Sequence, residues 1–373
     1  MKKLTLALAV CATLASAAAS AEVRINGFAS IVAGKTLDSD ATLYGYDDEI
    51  SFKEESMFAL QLSADLQEKL TATAQIVASG ENNYDAEFEW AYLTYEFNDG
   101  LQLSAGKMRA PFYKYSDFLD VGYAYRWVRT PQSVYSLDFS TYEGLSLLHT
   151  SQLGDWDSSV QVVYGSFDDE AGGARTILDD FAGVNWSVSR DWFSARAGYF
   201  VADTSVVLSD TSELKGLVDL LSASGFGDQA DSIDIDGDRG TFLALGMSVD
   251  YNNILVDAEF TKLSQDDNVL PDESQYYVSV GYRLDDTTIH FTYEDNDDSN
   301  GASDYDQLPQ IPMLNAAVNG AFASMTAKSN VYTIGARYDF HPSAAFKIDL
   351  SRFKDKVSDT ETDVLSVGVD LVF

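Results

Sequence analysis

Pairs of segments in which apolar and polar side chains alternate make up most of this sequence, and short polar turns separate them. In residues 58–64 and again in residues 70–76, an apolar residue occupies every second position, and the two segments meet at Gln67-Glu68-Lys69. A period of two places successive side chains on opposite faces of a β-strand, whereas a helix needs a period near 3.6. The pattern therefore predicts antiparallel hairpins.

Six further turns rich in Asn, Asp and Gly suit tight hairpins, because these residues tolerate positive φ angles. One strand, Val23 to Ala33, precedes the first hairpin, and another, Thr362 to Phe373, follows the last, so the sequence predicts sixteen strands. Longer polar connections are expected near 34–55, 80–86, 108–138, 167–179, 203–239, 263–273, 295–329 and 355–361. The six turns are Asn98-Asp99-Gly100, Gly154-Asp155, Arg190-Asp191, Asn252-Asn253, Asp285-Asp286 and His341-Pro342.

An all-β fold with short turns at one end and long loops at the other is typical of a transmembrane barrel. Since the sequence has no apolar run of about 18 residues, a helical membrane span is excluded. We predict a 16-stranded antiparallel transmembrane β-barrel with short periplasmic turns, long extracellular loops and a polar interior. A secreted β-sandwich is the alternative, although it usually has fewer strands per domain. Aromatic residues suited to a membrane interface lie near the short turns, namely Trp156, Trp192, Tyr282, Tyr338 and Phe340.

The first residues have the three regions of a secretory signal peptide. Lys2 and Lys3 are followed by an apolar stretch, and Ala19-Ser20-Ala21 provides a small-residue cleavage site. We therefore expect residues 1–21 to be a cleaved signal peptide and residues 22–373 to form the barrel. Lipoprotein processing at Cys11 is a weaker alternative, because Val10 is bulky for the position before the modified cysteine.

The end of the sequence, Leu365 to Phe373, has an apolar residue at every second position counted back from the terminal aromatic residue. This arrangement resembles the C-terminal signal that the assembly machinery of outer-membrane barrels reads. Val369, Leu371 and Phe373 are the candidate signal residues. An ordinary closing strand of a soluble sheet is the alternative interpretation.

With this ending and the segment from Phe88 to Lys107, which runs through Asn98-Asp99-Gly100, the chain resembles the Gram-negative general porins over its whole mature length. The resemblance implies an outer-membrane channel for passive diffusion of small hydrophilic solutes and ions. It also implies a homotrimer, and a third loop, here 108–138, that folds into the barrel and narrows the pore. That loop lacks the Pro-Glu-Phe-Gly motif of the enterobacterial proteins.

The third loop is basic although the chain as a whole has a net charge of −35. A basic patch that faces an acidic pair across the pore would favour anions. Strict alternation instead turns Lys107 and Arg109 outward with Leu103 and Ala105, unless a bulge at Gly106 or the end of the strand redirects them. The candidate constriction residues are Lys107, Arg109, Lys114, Asp117, Asp120, Arg126 and Arg129.

The strong negative charge argues against a nucleic-acid partner, because phosphate binding needs a basic surface. Expected partners are outer-membrane lipid, lipopolysaccharide, the barrel assembly machinery and small solutes. We expect no cofactor and no catalysis. We also expect no metal site, because the run Asp234-Ile235-Asp236-Gly237-Asp238 fails the spacing of a calcium loop. A substrate-specific anion channel of the phosphate type and a structural or adhesive barrel remain alternative functions. Leu214, Leu217, Val218 and Leu221 have the spacing of a short helix within a loop.

Overall fold

A computed structural model describes residues 22–171, 174–209, 212–231, 233–265, 271–299 and 312–373. The predicted signal peptide, residues 1–21, lies outside these ranges. Within them the chain forms a closed antiparallel barrel of sixteen strands, in which each strand pairs with its neighbours in sequence and β1 pairs with β16. The predicted strand number and architecture are confirmed.

The strands range from 9 to 17 residues in length. Seven two-residue turns join them in pairs at one end, each within one residue of the position predicted from the sequence. The strands are β1 Val23–Thr36, β2 Met57–Gln67, β3 Leu70–Ser79, β4 Ala86–Asn98, β5 Leu101–Arg109, β6 Thr141–Leu153, β7 Trp156–Ala171, β8 Ala174–Arg190, β9 Phe193–Val207, β10 Asp236–Tyr251, β11 Ile254–Gln265, β12 Asp272–Leu284, β13 Thr287–Ser299, β14 Ala327–His341, β15 Ala344–Asp355 and β16 Thr360–Val372.

The prediction of a long loop at 167–179 is wrong, because β7 and β8 remain paired up to Ala171 and Ala174. Asp168 and Arg175 stabilise the extension, since the guanidinium donates two hydrogen bonds of 2.7 Å to the carboxylate. Deeper in the hairpin, Leu178 is buried and Phe167 packs against the Phe139 ring at 5.1 Å. The polar residues that suggested a loop are therefore side chains of an extended hairpin.

The two faces of the strands differ in the way the alternation predicts. Large apolar side chains such as Ile254, Phe291 and Ile334 are exposed on the outer face. Carboxylates such as Asp257 and Asp349 lie buried on the opposite face, against a loop inside the barrel. Because that loop lies against the polar face, the polar face is the inside and the apolar face is the outside.

Helices occur only outside the strands in the described ranges. Two 3₁₀ turns, η1 Ser116–Phe118 and η2 Gly122–Ala124, lie in the loop between β5 and β6. Helices α1 Glu213–Ala223 and α2 Gly227–Asp231 lie between β9 and β10, and α3 Pro312–Met325 lies between β13 and β14. None of these helices has the length and hydropathy of a membrane span.

The three α-helices form a small separate core at the long-loop end of the barrel. Leu221 of α1, Ile233 and Val318 of α3 have no exposed surface and belong to one apolar cluster. Ser212 caps the N-terminus of helix α1, and its hydroxyl accepts a hydrogen bond of 3.1 Å from the Lys215 backbone N–H. The helix predicted from the Leu and Val spacing is therefore present, and its apolar face packs within the loops.

Candidate pore constriction

The loop between β5 and β6, residues 110–140, lies inside the barrel, and we call it the inner loop. Pro111 has no backbone N–H and so cannot continue the ladder at the end of β5. The loop then crosses to the far wall, where Trp127 Nε1 donates to Thr292 Oγ1 at 2.7 Å. The Val128 backbone N–H donates to Asp349 Oδ2 at 2.7 Å. These contacts hold the loop against the strands that follow β9.

An aromatic cluster anchors the beginning of the inner loop. The Phe112 ring packs edge-on against Phe181 at 5.6 Å and against Phe200 and Phe242 at 5.1 Å, and all four side chains are buried. Full burial of such a side chain contributes roughly 1.5–3 kcal/mol. The barrel therefore has a dry core of its own between the inner loop and strands β8–β10.

Two of the predicted basic residues converge on one carboxylate of the barrel wall. Lys114 Nζ lies 2.5 Å from Asp257 Oδ1, and the Arg126 guanidinium donates to Asp257 Oδ2. The side chains of Arg126 and Asp257 are 9% and 8% exposed, so this cluster is shielded from water. Because Asp257 lies on β11, the two cations pin the inner loop to that strand instead of facing an open channel.

Glu259, two residues after Asp257 on β11, binds the inner loop through hydrogen bonds. The Lys114 backbone N–H donates to Glu259 Oε1 at 2.7 Å, and the Tyr135 hydroxyl donates to Oε2 at 2.7 Å. Burial raises the pKa of the Tyr135 phenol well above its usual range, so the hydroxyl keeps its proton and acts as a donor. Hydrogen bonds to a charged acceptor are worth about 1.5–3 kcal/mol each.

The remaining basic residue of the cluster, Arg129, connects the inner loop to the first long loop. Arg129 Nε lies 2.5 Å from Glu55 Oε1, and the guanidinium stacks 4.1 Å above the Tyr44 ring. Glu55 Oε2 also accepts a hydrogen bond of 2.8 Å from the buried Tyr46 hydroxyl. Tyr44, Tyr46 and Glu55 of the first long loop therefore lie against the inner loop.

Three basic residues of the wall, which the sequence did not single out, hold the backbone of the inner loop. Lys347 has no exposed surface, and its Nζ donates to the carbonyl oxygens of Gly122 at 2.6 Å and Trp127 at 2.7 Å. The guanidiniums of Arg196 and Arg337 likewise donate to inner-loop carbonyls. Strand parity places Lys347 inward, but only the fold reveals its partners.

Gly122 allows the closest approach of the inner loop to the wall. A Cβ atom at this position would lie 2.3 Å from Asp370 Oδ1 and 2.7 Å from Ser30 Oγ. Asp370 also pairs with Lys347 at 2.8 Å, so any larger residue would displace a buried ion pair. We refer to strands β9–β16, which carry these contacts, as the docked half.

Strands β2–β8 form the open half, and their inward side chains are mostly amides and hydroxyls. A cavity of about 370 Å³ lies along their inner face beside the inner loop, and a second of about 470 Å³ lies nearer the short turns. Asp117 is exposed at the first cavity, whereas Lys114 and Arg196 border the second. The expected basic patch facing acids across the pore is therefore wrong, because the loop cations turn toward the docked half.

A family model described as Gram-negative porin matches residues 6–370. The chain belongs to the Gram-negative porin family. The protein is accordingly an outer-membrane channel for passive diffusion of small hydrophilic solutes, and the family indicates a channel rather than an enzyme. No curated protein matches the sequence significantly.

Three solved structures show the same fold at low sequence identity. OmpT of Vibrio cholerae, folded in vitro and in a trimer form, is 14% identical with a TM-score of 0.56 and covers 95% of this chain and 100% of its own. An anion-selective porin from Comamonas acidovorans is 12% identical, scores 0.58 and covers 95% and 100%. OmpF of Salmonella typhi, in complex with daunomycin, is 15% identical, scores 0.60 and covers 94% and 97%.

In this porin, Lys107 lies on the outer surface, so its predicted place in the constriction is wrong. It pairs across the sheet with Ala91 and Glu143, with no register shift at this point, and its Nζ reaches the Phe88 carbonyl at 3.4 Å. Gly106 has a φ of 141° but introduces no bulge. Strict alternation therefore holds through Lys107.

Arg109, the last residue of β5, is inside the porin. Its guanidinium pairs with Asp120 of the inner loop, lies 3.2 Å from Glu89 Oε1 and stacks 5.1 Å from the Trp90 ring. The end of the strand turns this side chain inward, which is one of the two possibilities the sequence left open. Asp120 is thus an ion-pair partner, while Asp117 forms no ion pair with any described residue.

The candidate assembly residues of the porin lie at the seam between β16 and β1. Val369 and Leu371 pair with Ile31 and Ala29 on the outer face. The Phe373 backbone exchanges hydrogen bonds of 2.7 and 2.9 Å with Gly27, and its ring lies 5.8 Å from the Phe58 ring. A role for these residues as an assembly signal stays a prediction.

Proposed function

We propose that this porin is a general diffusion channel whose solutes pass along the open half, and that it conducts cations better than anions. The observation that carries the proposal is that Lys114, Arg126 and Arg129 are all engaged in ion pairs with wall or loop carboxylates. Glu55 offsets Arg129, and Asp257 together with the adjacent Glu259 offsets Lys114 and Arg126, so little free positive charge remains where solutes pass. Selectivity in such a pore follows the charge that remains near its narrowest part.

Several carboxylates of the lumen support a cation preference. Asp157 is exposed at the cavity nearer the short turns and forms no ion pair among the described residues. Asp117 is likewise unpaired within the described chain and is exposed at the cavity beside the inner loop. Arg196, bonded to backbone carbonyls, is the main opposing charge. The balance favours cations.

Reversal potentials in planar lipid bilayers under a KCl gradient test this proposal. We expect the permeability of K⁺ to exceed that of Cl⁻. A permeability ratio below one would overturn the cation preference. The alternative of an anion-specific channel that binds anions at the basic cluster lacks support, because Arg126 is buried against Asp257.

We further propose that the porin forms a homotrimer through the outer face of β2–β5. Small side chains such as Ala72, Ala74 and Ala105 occur on this face. Lys107 also lies on it, and a lysine facing lipid costs up to about 2–4 kcal/mol, a cost that a partner subunit would reduce. The trimer form of the Vibrio cholerae protein supports this assembly.

Replacing Ala74 by Arg should lower the trimer fraction seen by light scattering in detergent. Val162→Arg is the matched control, because Val162 is exposed on the outer face of β7, away from the proposed contact. Equal trimer fractions in the two variants would refute this placement of the interface.

We also propose that residues 1–21 are a signal peptide that directs export. The assembly machinery recognises Val369, Leu371 and Phe373, and the acidic outer loops contact lipopolysaccharide. The outward position of Val369 and Leu371 supports the second of these. Phe373→Ala should reduce the amount of folded barrel in the outer membrane without reducing synthesis. An unchanged folded amount would remove Phe373 from the signal.

A further inference from the structure

His290 is a buried titratable side chain that the diffusion of solutes does not require. It lies on the inward face of β13, and its side chain has no exposed surface. The Trp127 ring of the inner loop packs edge-on against it, with 6.4 Å between the ring centres. The other two histidines of the sequence, His149 and His341, are exposed beside short turns. Docking of the inner loop therefore shields one imidazole from water.

A hydrogen bond connects His290 with a strand two places along the barrel wall. His290 Nε2 lies 3.1 Å from Asp349 Oδ1 on β15. The bond passes over Gly335 of β14, which pairs with both residues across the sheet. A Cβ atom at Gly335 would clash with Asp349 Oδ1 and lie 2.5 Å from His290 Nε2. The glycine therefore leaves the space in which this contact forms.

Asp349 extends this hydrogen bond to the inner loop. Its Oδ2 accepts a hydrogen bond of 2.7 Å from the Val128 backbone N–H. The preceding residue, Trp127, donates from Nε1 to Thr292 Oγ1 at 2.7 Å. Because Trp127 and Val128 are consecutive, this segment of the loop, Asp349 and His290 form one connected unit. The orientation of the Asp349 carboxylate thus depends on His290.

The two ring nitrogens of His290 determine which protonation state suits the docked loop. An ionised carboxylate only accepts hydrogen bonds, so Nε2 carries the hydrogen that faces Asp349. Nδ1 is buried and has no hydrogen-bond partner among the described residues. A neutral ring leaves an unpaired acceptor there. A protonated ring would instead bury an unpaired N–H donor and a positive charge, which is costly.

Charged and titratable side chains face His290 from each element packed against it, and cations outnumber carboxylates among them. Docking brings cations of the inner loop toward the ring and, within the described chain, no acceptor for Nδ1. The set comprises Glu294 on β13, Tyr277 and Arg283 on β12, Arg337 and Asp339 on β14, Lys347 and Asp349 on β15, and Arg126 and Arg129 of the inner loop, which pair with Asp257 and Glu55.

We propose that His290 is a proton-sensitive latch, which holds the inner loop docked while its ring is neutral and releases the Trp127–Val128 segment when its ring is protonated. In the released state, water in the lumen solvates the charge and accepts a hydrogen bond from Nδ1, so protonation favours release. Docking is therefore strongest above neutral pH and weakens as the pH falls through the range in which imidazole titrates. The inference concerns regulation of the proposed diffusion path and rests on that function only for its effect on ion current.

Backbone hydrogen exchange of the purified porin in detergent, read by mass spectrometry, measures this release directly. The Val128 N–H exchanges when it leaves Asp349. An ordinary imidazole is about one-tenth protonated at about pH 7.5 and about nine-tenths protonated at about pH 5.5. After correction for the intrinsic pH dependence of exchange, the segment that contains Val128 should exchange up to about tenfold faster at the lower pH. Single-channel currents in planar bilayers should also fluctuate more at the lower pH.

Variants locate the response. His290→Gln keeps an N–H donor toward Asp349 but cannot gain a proton, so its corrected exchange should change less than about twofold between the two pH values. His290→Asn is shorter and should exchange faster at both pH values without a pH response, and it keeps the test valid if His290→Gln fails to fold. His149→Gln, at an exposed histidine, is the matched control and should respond as the wild type does.

The outcomes separate the latch from the proposed function. Equal corrected exchange of the wild type at both pH values would overturn the latch, as would the same pH response in the wild type and His290→Gln. A porin that conducts no ions would refute the diffusion function, while the exchange experiment still tests the latch. Faster exchange at the lower pH with an unaltered current would support the latch and place the ion route away from the Trp127–Val128 segment.

Discussion

The docked and open halves of this barrel share one alternating strand pattern but differ in the side chains that point inward. The docked half places charged residues inward, such as Asp257, Lys347 and Asp349, and each of them holds the inner loop. The open half places neutral polar residues such as Ser104 and Gln161 inward, and cavities lie beside them. Charged side chains of the docked half therefore bind the inner loop, and neutral polar side chains of the open half line the cavities.

The largest loss of stability is expected when Asp257, which pairs with two inner-loop cations, is replaced. Asp257→Ala leaves Lys114 and Arg126 without their buried carboxylate, and loss of one partner of such a pair typically costs about 3–5 kcal/mol. We expect a lower thermal unfolding midpoint in detergent and a noisier, larger single-channel current.

Asp157→Ala provides the comparison in the open half, because Asp157 forms only a 3.4 Å hydrogen bond with Gln152 and no ion pair among the described residues. Its effect on stability should stay within about 0.5 kcal/mol. Equal destabilisation by the two substitutions would show that the inner loop does not depend on Asp257.

A smaller effect is expected from trimming the aromatic anchor. Phe112→Leu keeps most of the buried volume but loses ring contacts with Phe181, Phe200 and Phe242, which should cost about 1–1.5 kcal/mol. Chemical denaturation of the purified barrel measures the loss. Phe97→Leu on the exposed outer face is the control, and a matching loss there would contradict a special role for the inner cluster.

The smallest effect is expected on ion selectivity, from a substitution in the open half. Asp117→Asn removes an exposed carboxylate at the cavity beside the inner loop, so the K⁺ to Cl⁻ permeability ratio should fall. The change should be at most about fivefold, because one charge at close range in water contributes only about 1 kcal/mol. Asp219→Asn on α1 is the control and should leave the ratio unaltered. An unaltered ratio in Asp117→Asn would place the ion path elsewhere.

The barrel was predictable because period-two alternation is repeated in every strand and each short turn carries its own local signal. The same rule located Lys107 correctly as an outward residue under strict alternation, and Arg109 departs from it only because β5 ends there. Local pattern was misleading at 167–179, where acidic residues such as Asp168 suggested a loop. There the Arg175 pairing keeps the strands extended.

The wall of the site was less predictable, since its contacts join residues far apart in sequence. The excess of basic residues in the inner loop was visible, but its neutralisation by Asp257 depends on which strand lies opposite. Trp90 and Asn185 gave no sequence signal, because a single Trp or Asn on a strand is ordinary. Only closure of the barrel brings them to one cavity.

The inner loop has a consequence for the order of folding. Its contacts with the docked half span very long stretches of chain, with a separation of 221 residues between Val128 and Asp349 and of 225 between Gly122 and Lys347. Long-range contacts of this kind form slowly, because closing so large a loop of chain is entropically costly. During biogenesis the barrel should therefore pass through a wider, unobstructed intermediate. The inner loop should dock onto the wall as one of the final events.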